Sequence, residues 1–164
     1  LSPDLSERSS PIIGYGLNNG EIGVLELMRS KPMILWTLES SQVPNGLGAP
    51  VSLVKACILD KSKKTKAAKK LPENDAPAGL DGLDIDEEES KVYDLIVARD
   101  NGRIEIYSYT LDTPFPIMCF EHQIKSTITS VDVGNVTMAN SKDILLSCYD
   151  GKILALVDAK KFKK

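Results

Sequence analysis

The reading of the fold turns on DLIVARDNGRIEIYSY, residues 94–109, because the same pattern occurs twice more without a gap, as IIGYGLNNGEIGVLEL at 12–27 and DILLSCYDGKILALVD at 143–158. Each segment runs from a short apolar stretch into Asn-Gly or Asp-Gly (Asn19-Gly20, Asn101-Gly102, Asp150-Gly151) and then into a second strand-like stretch. Apolar runs such as Leu95, Ile96, Val97 and Ala98 have the length and composition of buried strands. The residues after the turn, Ile104, Ile106 and Tyr107 in the middle copy, alternate roughly with period two. Asn-Gly and Asp-Gly suit a two-residue type I′ hairpin, whose central residues both need positive φ. Arg103, directly after the middle turn, is placed on an exposed strand position. Each copy is therefore expected to be a hairpin of two antiparallel strands.

The glycines of the first two turns are 82 residues apart and those of the last two 49; without the 30 residues of 61–90 the first spacing falls to 52. A period near 50 residues with several short strands fits a β-propeller blade. Residues 33–38 (MILWTL), 51–59 (VSLVKACIL), 117–121 (IMCFE) and 128–133 (ITSVDV) supply the remaining strands. Pro32, Pro114 and Pro116 precede the outer strands, where a missing amide costs nothing because an edge has no partner. No amphipathic helix stands out. A β-sandwich also uses short strands and regular turns, but the 16-residue superposition favours an all-β partial β-propeller of about three blades, spanning 1–164 as a fragment of a propeller domain. Apolar residues among Ile96, Val97, Ile104, Ile106, Leu145 and Leu146 are expected at its two open faces.

Residues 61–90 (KSKKTKAAKKLPENDAPAGLDGLDIDEEES) place all 6 lysines in the first half and carry 8 acidic residues. Leu71, Leu80, Leu83 and Ile85 are too few to offset the entropy of ordering such a segment, so it is read as one long disordered, low-complexity loop insertion. Its lysines are not read as a nucleic-acid patch, since the following acids neutralise them and no aromatics are interleaved. The lysines at 160, 161, 163 and 164 read as a solvated end. Asp84, Asp86, Glu88 and Asp94 invite a calcium-loop reading, but an EF-hand register would need glycine where Glu89 stands and glutamate where Leu95 stands.

Over the whole chain, 20 Lys plus Arg face 23 Asp plus Glu, a net charge of -3, and 42% of residues are hydrophobic. That composition supports a packed core. It offers no global field for nucleic acid or an anionic membrane. There is no signal-peptide pattern at the start and no apolar run of membrane-spanning length, so the chain reads as intracellular. Cys57, Cys119 and Cys148 lack CxxC spacing and are read as reduced and mostly buried.

Catalytic patterns fail one by one. His122 is the one histidine, Cys119 three residues away falls on the opposite strand face, and no GxSxG elbow exists. Gly14, Gly16 and Gly20 do not make GxGxxG; they read as small residues of a crowded inner strand and its turn. Trp36 and Tyr15 read as core. No catalytic, cofactor-binding or metal residue is assigned.

The wording of 15–40 (YGLNNGEIGVLELMRSKPMILWTLES), 94–122 (DLIVARDNGRIEIYSYTLDTPFPIMCFEH), 128–136 (ITSVDVGNV) and 143–156 (DILLSCYDGKILAL) resembles the N-terminal propeller of the Bardet-Biedl syndrome 7 family. The likeness covers about 12–157 apart from the insertion, and the missing remainder of the propeller implies a fragment. The resemblance implies a non-catalytic scaffold subunit of the BBSome, an adaptor coat that carries membrane-protein cargo into and out of cilia on intraflagellar transport trains. It further implies contacts with sibling propeller subunits, chiefly the Bardet-Biedl syndrome 2 and 9 proteins, with cargo engaged indirectly, and a location at the cilium, its basal body and the cytoplasm. Neither a cofactor, nor nucleic acid, nor insertion into a membrane is implied. The alternatives weighed are an integrin-like calcium-binding propeller, which would need acidic loops in several repeats, a propeller hydrolase, which would need polar residues at a central channel, and a generic interaction domain.

Overall fold

The computed structural model describes residues 11–28, 31–43, 48–59, 64–65, 90–111, 115–137 and 142–157. The described residues form antiparallel sheets and no α-helix; one 3-10 turn, Ser40–Gln42, is present. The first sheet holds β1 (Ile12–Gly16), β2 (Ile22–Leu27) and β3 (Pro32–Leu38) in that order. Four strands, β4 (Val51–Cys57), β7 (Tyr93–Arg99), β8 (Arg103–Tyr109) and β9 (Ile117–Gln123), make the second. The third holds β10 (Ile128–Gly134), β11 (Asp143–Cys148) and β12 (Ile153–Leu156). Two-residue strands β5 (Lys64–Thr65) and β6 (Ser90–Lys91) pair at the base of the insertion, most of which lies outside the described residues together with Asp84, Asp86, Glu88 and the C-terminal lysines.

The central hairpin of each sheet is the repeated sequence unit: β1-β2, β7-β8 and β11-β12. Each turn differs from the two-residue type I′ expected. Gly20 donates its N–H to Leu17 O, Gly102 to Arg99 O and Gly151 to Cys148 O, and these glycines take φ of 86°, 81° and 81°. This is a three-residue loop in which only the last position needs positive φ, as in a type I turn followed by a G1 bulge. Asn19, Asn101 and Asp150 brace the loop instead, each side-chain Oδ1 accepting the N–H two residues on, from Glu21, Arg103 and Lys152. The sequence signature is shared by both turn types, and the hydrogen bond that decides between them is not visible in it.

β3 and β9 are edge strands, as their preceding prolines require; Pro32 opens β3 opposite Leu27 and Pro116 directly precedes β9, while Pro114 lies outside the described residues. β4 pairs with β7 on the side away from β8, so the insertion separates two neighbours of one sheet.

The sheets stack face to face. Leu95, Val97, Tyr107 and Tyr109 of the second sheet pack against Ile22, Val24 and Trp36 of the first. The alternate residues Ile96, Ala98, Ile104 and Ile106 pack against Ile128, Ile144 and Leu146 of the third. This even-odd division follows from the two-residue period of a strand. It overturns one expectation: Ile96, Val97, Ile104, Ile106 and Leu146 are at most 1% exposed, because β7 and β8 are covered on both sides and Leu146 faces inward. Leu145 alone of that group is on an outward face, half-buried. Gly14 and Gly16 let the first sheet come close, since a Cβ at either would run into Leu95, Val54 or Val51. The glycines of β1 are thus packing residues, as read.

Candidate functional site

The residues singled out for chemistry are scattered rather than gathered. Cys119 Sγ lies 3.2 Å from Ser108 Oγ and 3.4 Å from Ile117 O, whereas His122 is exposed and stacks at 6.3 Å on Phe120. Cys57 and Cys119 are half-buried and Cys148 is buried, and none of the three is joined in a disulfide. Trp36 is buried edge-on to Tyr109 at 5.4 Å, and Tyr109 stacks on Tyr93 at 5.7 Å, a packed aromatic core. Tyr15 is instead on the outer face of the first sheet. Its ring lies over Gly23, where a Cβ would come within 2.5 Å of it, and its hydroxyl meets Thr37 Oγ1 at 2.6 Å.

Asp94 was the strand-borne member of the acidic group read for calcium. Its carboxylate is fully buried and accepts from Leu59 N at 3.0 Å and from the Ser108 hydroxyl. Asp143, its counterpart in the third unit, is equally buried and accepts from Val136 N, Thr137 N and Thr137 Oγ1 at 3.0, 2.7 and 2.9 Å. Both pin the chain that leaves the first strand of their sheet, β4 or β10, to the start of the next strand of that sheet. In the first unit the same place is taken by Ile12, in a sheet whose first described strand is β1 itself.

The largest polar group in the interior is one the sequence reading missed. Arg99 donates Nε to Glu105 Oε1 at 2.8 Å and Nη2 to Oε2 at 2.9 Å, a bidentate pair with both side chains 0% exposed. Its Nη1 donates to Gly20 O at 3.0 Å and Ala49 O at 2.8 Å. The guanidinium therefore ties the second sheet to the first hairpin. The Tyr107 hydroxyl donates to Glu105 Oε2 at 2.9 Å, and burial together with the adjacent carboxylate raises its pKa, so that it stays a donor. Arg103 Nε approaches Glu105 Oε1 at 2.8 Å and Glu121 Oε1 at 3.0 Å, off the hydrogen-bond direction. Arg103 is 4% exposed, which corrects its expected place on the surface: the odd positions of β8 face the first sheet. Charged residues inside otherwise apolar strands were the signal that could have revealed this cluster.

Every one of these charges is engaged within the fold. Among the described residues no group of three or more His, Cys, Asp or Glu is placed to hold a metal ion, and no helix is long and apolar enough to cross a membrane. A cleft of about 160 Å³ lies among Ile124, Ser126, Cys148 and Asp150, smaller than the ~300 Å³ at which small-molecule sites begin.

What the arrangement offers instead is surface. Across the outer face of the first sheet the register aligns Ile13, Leu25 and Ile34 in one row. Ile13 is 41% and Ile34 64% exposed, with Leu27 beside them. On the outer face of the third sheet, Leu145 is aligned with Ala155 and Ser147 with Ile153, and Ile153 is 75% exposed. The row on the first sheet is a contiguous apolar strip of the kind that meets other protein, whereas on the third sheet Leu145 stands beside Asp132 and Ser147 beside Ser130. The candidate site is this pair of faces.

Comparison with known proteins bears on what such a stack belongs to. The family model described as BBS7 beta-propeller matches residues 4–158. The mouse protein "BBSome complex member BBS7" is 23% identical over 142 residues, which is 87% of this chain and 15% of that protein. The chain thus spans about 15% of the length of this curated relative. Three stacked antiparallel sheets built on a repeated hairpin, matched almost end to end by that family model, place the chain in the BBS7 beta-propeller family.

Proposed function

We propose that the chain serves as a non-catalytic scaffold part of a BBSome, the complex named in the description of its mouse relative. The observation that carries this reading is the family match over residues 4–158. The physical character of the fold supports it. Its polar interior is spent on holding sheets together, through Arg99, Glu105, Asp94 and Asp143, and its distinctive surface is apolar sheet face. A rigid sheet stack with large contact faces suits an assembly subunit, whose work is to present surfaces in fixed relative positions.

In this reading the partners are sibling propeller subunits, the Bardet-Biedl syndrome 2 and 9 proteins first. Ciliary membrane-protein cargo is engaged through the assembled coat. The site of action is the cilium with its basal body, supplied from the cytoplasm. Co-expression of the affinity-tagged chain with each of those two subunits tests the partner assignment: co-purification through a salt wash supports it, and recovery of the tagged chain without either overturns it. A fluorescent fusion in ciliated cells tests the location, and diffuse signal with no enrichment at the cilium or its base would contradict it.

A further inference from the structure

The hairpin tips are built alike but strapped differently. The loops at Asn19-Gly20 and Asn101-Gly102 share their internal bonds: each glycine donates its N–H three residues back, to Leu17 O or Arg99 O, and each asparagine Oδ1 accepts the N–H two residues on. Around the second tip, the segment that leads to the third sheet adds three more. Asp100 O accepts from Thr127 Oγ1 at 3.1 Å, Asn101 O from Gln123 Nε2 at 2.7 Å and Gly102 O from Ile124 N at 2.9 Å. At the first tip, among the described residues, Gly20 O alone is held from outside the loop, by Arg99 Nη1 at 3.0 Å.

Asparagine followed by glycine carries latent chemistry. When such a loop opens, the glycine nitrogen, unshielded by any Cβ, loses its proton to solvent base and attacks the asparagine Cγ. The N–Cγ bond forms, the Cγ–Nδ2 bond breaks and ammonia leaves; water then opens the resulting five-membered ring at either carbonyl, giving aspartate or isoaspartate. A closed loop prevents the attack, because Gly20 N and Gly102 N are committed to Leu17 O and Arg99 O. The rate at each tip therefore follows how often that loop opens. Each further bond that must break lowers the open population about fivefold.

We propose that Asn19 is a site at which the folded chain converts spontaneously to aspartate and isoaspartate, well ahead of Asn101. Both asparagines are exposed, so solvent reaches either one; the straps over the second tip make the difference. A third such pair, Asn45-Gly46, lies outside the described residues. The third hairpin shows which product the loop tolerates. Asp150 stands there in place of asparagine, and its Oδ1 accepts Lys152 N in the same way, so aspartate fits. Isoaspartate does not, because it adds one backbone atom inside the ring closed by Gly20 N and Leu17 O, and so shifts Gly20 O from Arg99 Nη1. Conversion at Asn19 thus loosens the hold of the second sheet on the first hairpin, whatever complex the chain joins.

The test is peptide mapping by mass spectrometry of the chain aged at mildly alkaline pH, both folded and in urea, beside the variant Gln123→Ala. Position 123 is exposed, and circular dichroism checks that the variant keeps its strands. In the folded chain, conversion at Asn19 should run at least about fivefold ahead of conversion at Asn101, the worth of one strap bond. In urea the two should react at similar rates, since both are then followed by an unrestrained glycine. Gln123→Ala removes the bond to Asn101 O, so it should speed conversion at Asn101 severalfold and leave Asn19 unchanged. The aged chain should unfold at a lower urea concentration than the fresh one, in proportion to its isoaspartate at position 19, whereas fresh Asn19→Asp should stay close to the unaged chain. No conversion at Asn19 in the folded chain, equal rates at the two tips, or Asn101 reacting first would overturn the proposal. Indifference of Asn101 to Gln123→Ala would overturn it as well, as would an aged chain as stable as the fresh one.

Discussion

Replacing Glu105 with glutamine should destabilise the fold by about 3 kcal/mol, far more than any exposed carboxylate. Glu105 is 0% exposed and takes both forks of Arg99. Removing one partner of such a buried pair costs roughly 3–5 kcal/mol, because the other charge stays behind without compensation. Arg99 keeps its bonds to Gly20 O and Ala49 O, and the glutamine oxygen preserves one acceptor, which places the loss at the low end. Either an Arg99 N–H or the Tyr107 hydroxyl then loses its acceptor, about 1–3 kcal/mol of that figure. Glu121→Gln is the control: its side chain is 32% exposed and 3.0 Å from Arg103, so it should cost no more than about 1 kcal/mol. Urea unfolding at a single protein concentration can be followed by circular dichroism and by the fluorescence of Trp36, the one tryptophan, which is buried between the first and second sheets. The double variant Arg99→Gln/Glu105→Gln should lose less than the two single losses together, since the second removal takes away a charge already unpaired. Glu105→Gln and Glu121→Gln agreeing within about 1 kcal/mol, or strictly additive losses in the cycle, would refute the clamp.

Gly102→Val should cost more than Gly151→Val by about 1 kcal/mol or more, although both glycines sit at φ 81°; a Cβ at 102 would stand 2.5 Å from Ile124 O and 2.6 Å from Ser126 O, whereas at 151 it meets nothing among the described residues within 4 Å. Equal midpoints in urea would show that backbone strain alone sets the cost. Tyr107→Phe should lose about 1–2 kcal/mol with its bond to Glu105, while Tyr109→Phe should be neutral or stabilising, because the Tyr109 hydroxyl is buried and meets no hydrogen-bond partner among the described residues; thermal melts of the pair decide it. Asp132 is held below the usual carboxylate range by its bonds to Lys55 and to Val133 N, so its contribution is present above the unfolded value near 4 and fades as pH falls through its lower folded value. Asp132→Asn should therefore flatten the acid limb of the stability-pH curve, and an unchanged limb would remove Asp132 from the titration.

The sequence alone determined the units. Gapless repetition of a hairpin, punctuated by Asn-Gly and Asp-Gly, requires three copies of one supersecondary element, and a turn glycine with alternating apolar residues is a local signal that needs no distant partner to be read. The edge position of β3 and β9 was legible for the same reason, since proline removes its own amide. The tertiary structure alone decided which strands share a sheet: a strand such as β4 fits either neighbouring hairpin by composition, and only its hydrogen bonds to β7 assign it. It also decided which apolar residues meet water. Ile104 and Ile153 are counterparts in alternating apolar strands, yet one is 0% and the other 75% exposed, because exposure depends on whether a further sheet is stacked above. Arg103, Glu105 and Asp94 carry the same lesson for charge, since a charged side chain within an apolar strand reads as solvent-facing until the groups that neutralise it are in place. Those partners, Glu105 for Arg99 and the amide of Leu59 for Asp94, arrive only when the strands pair and the sheets close on one another.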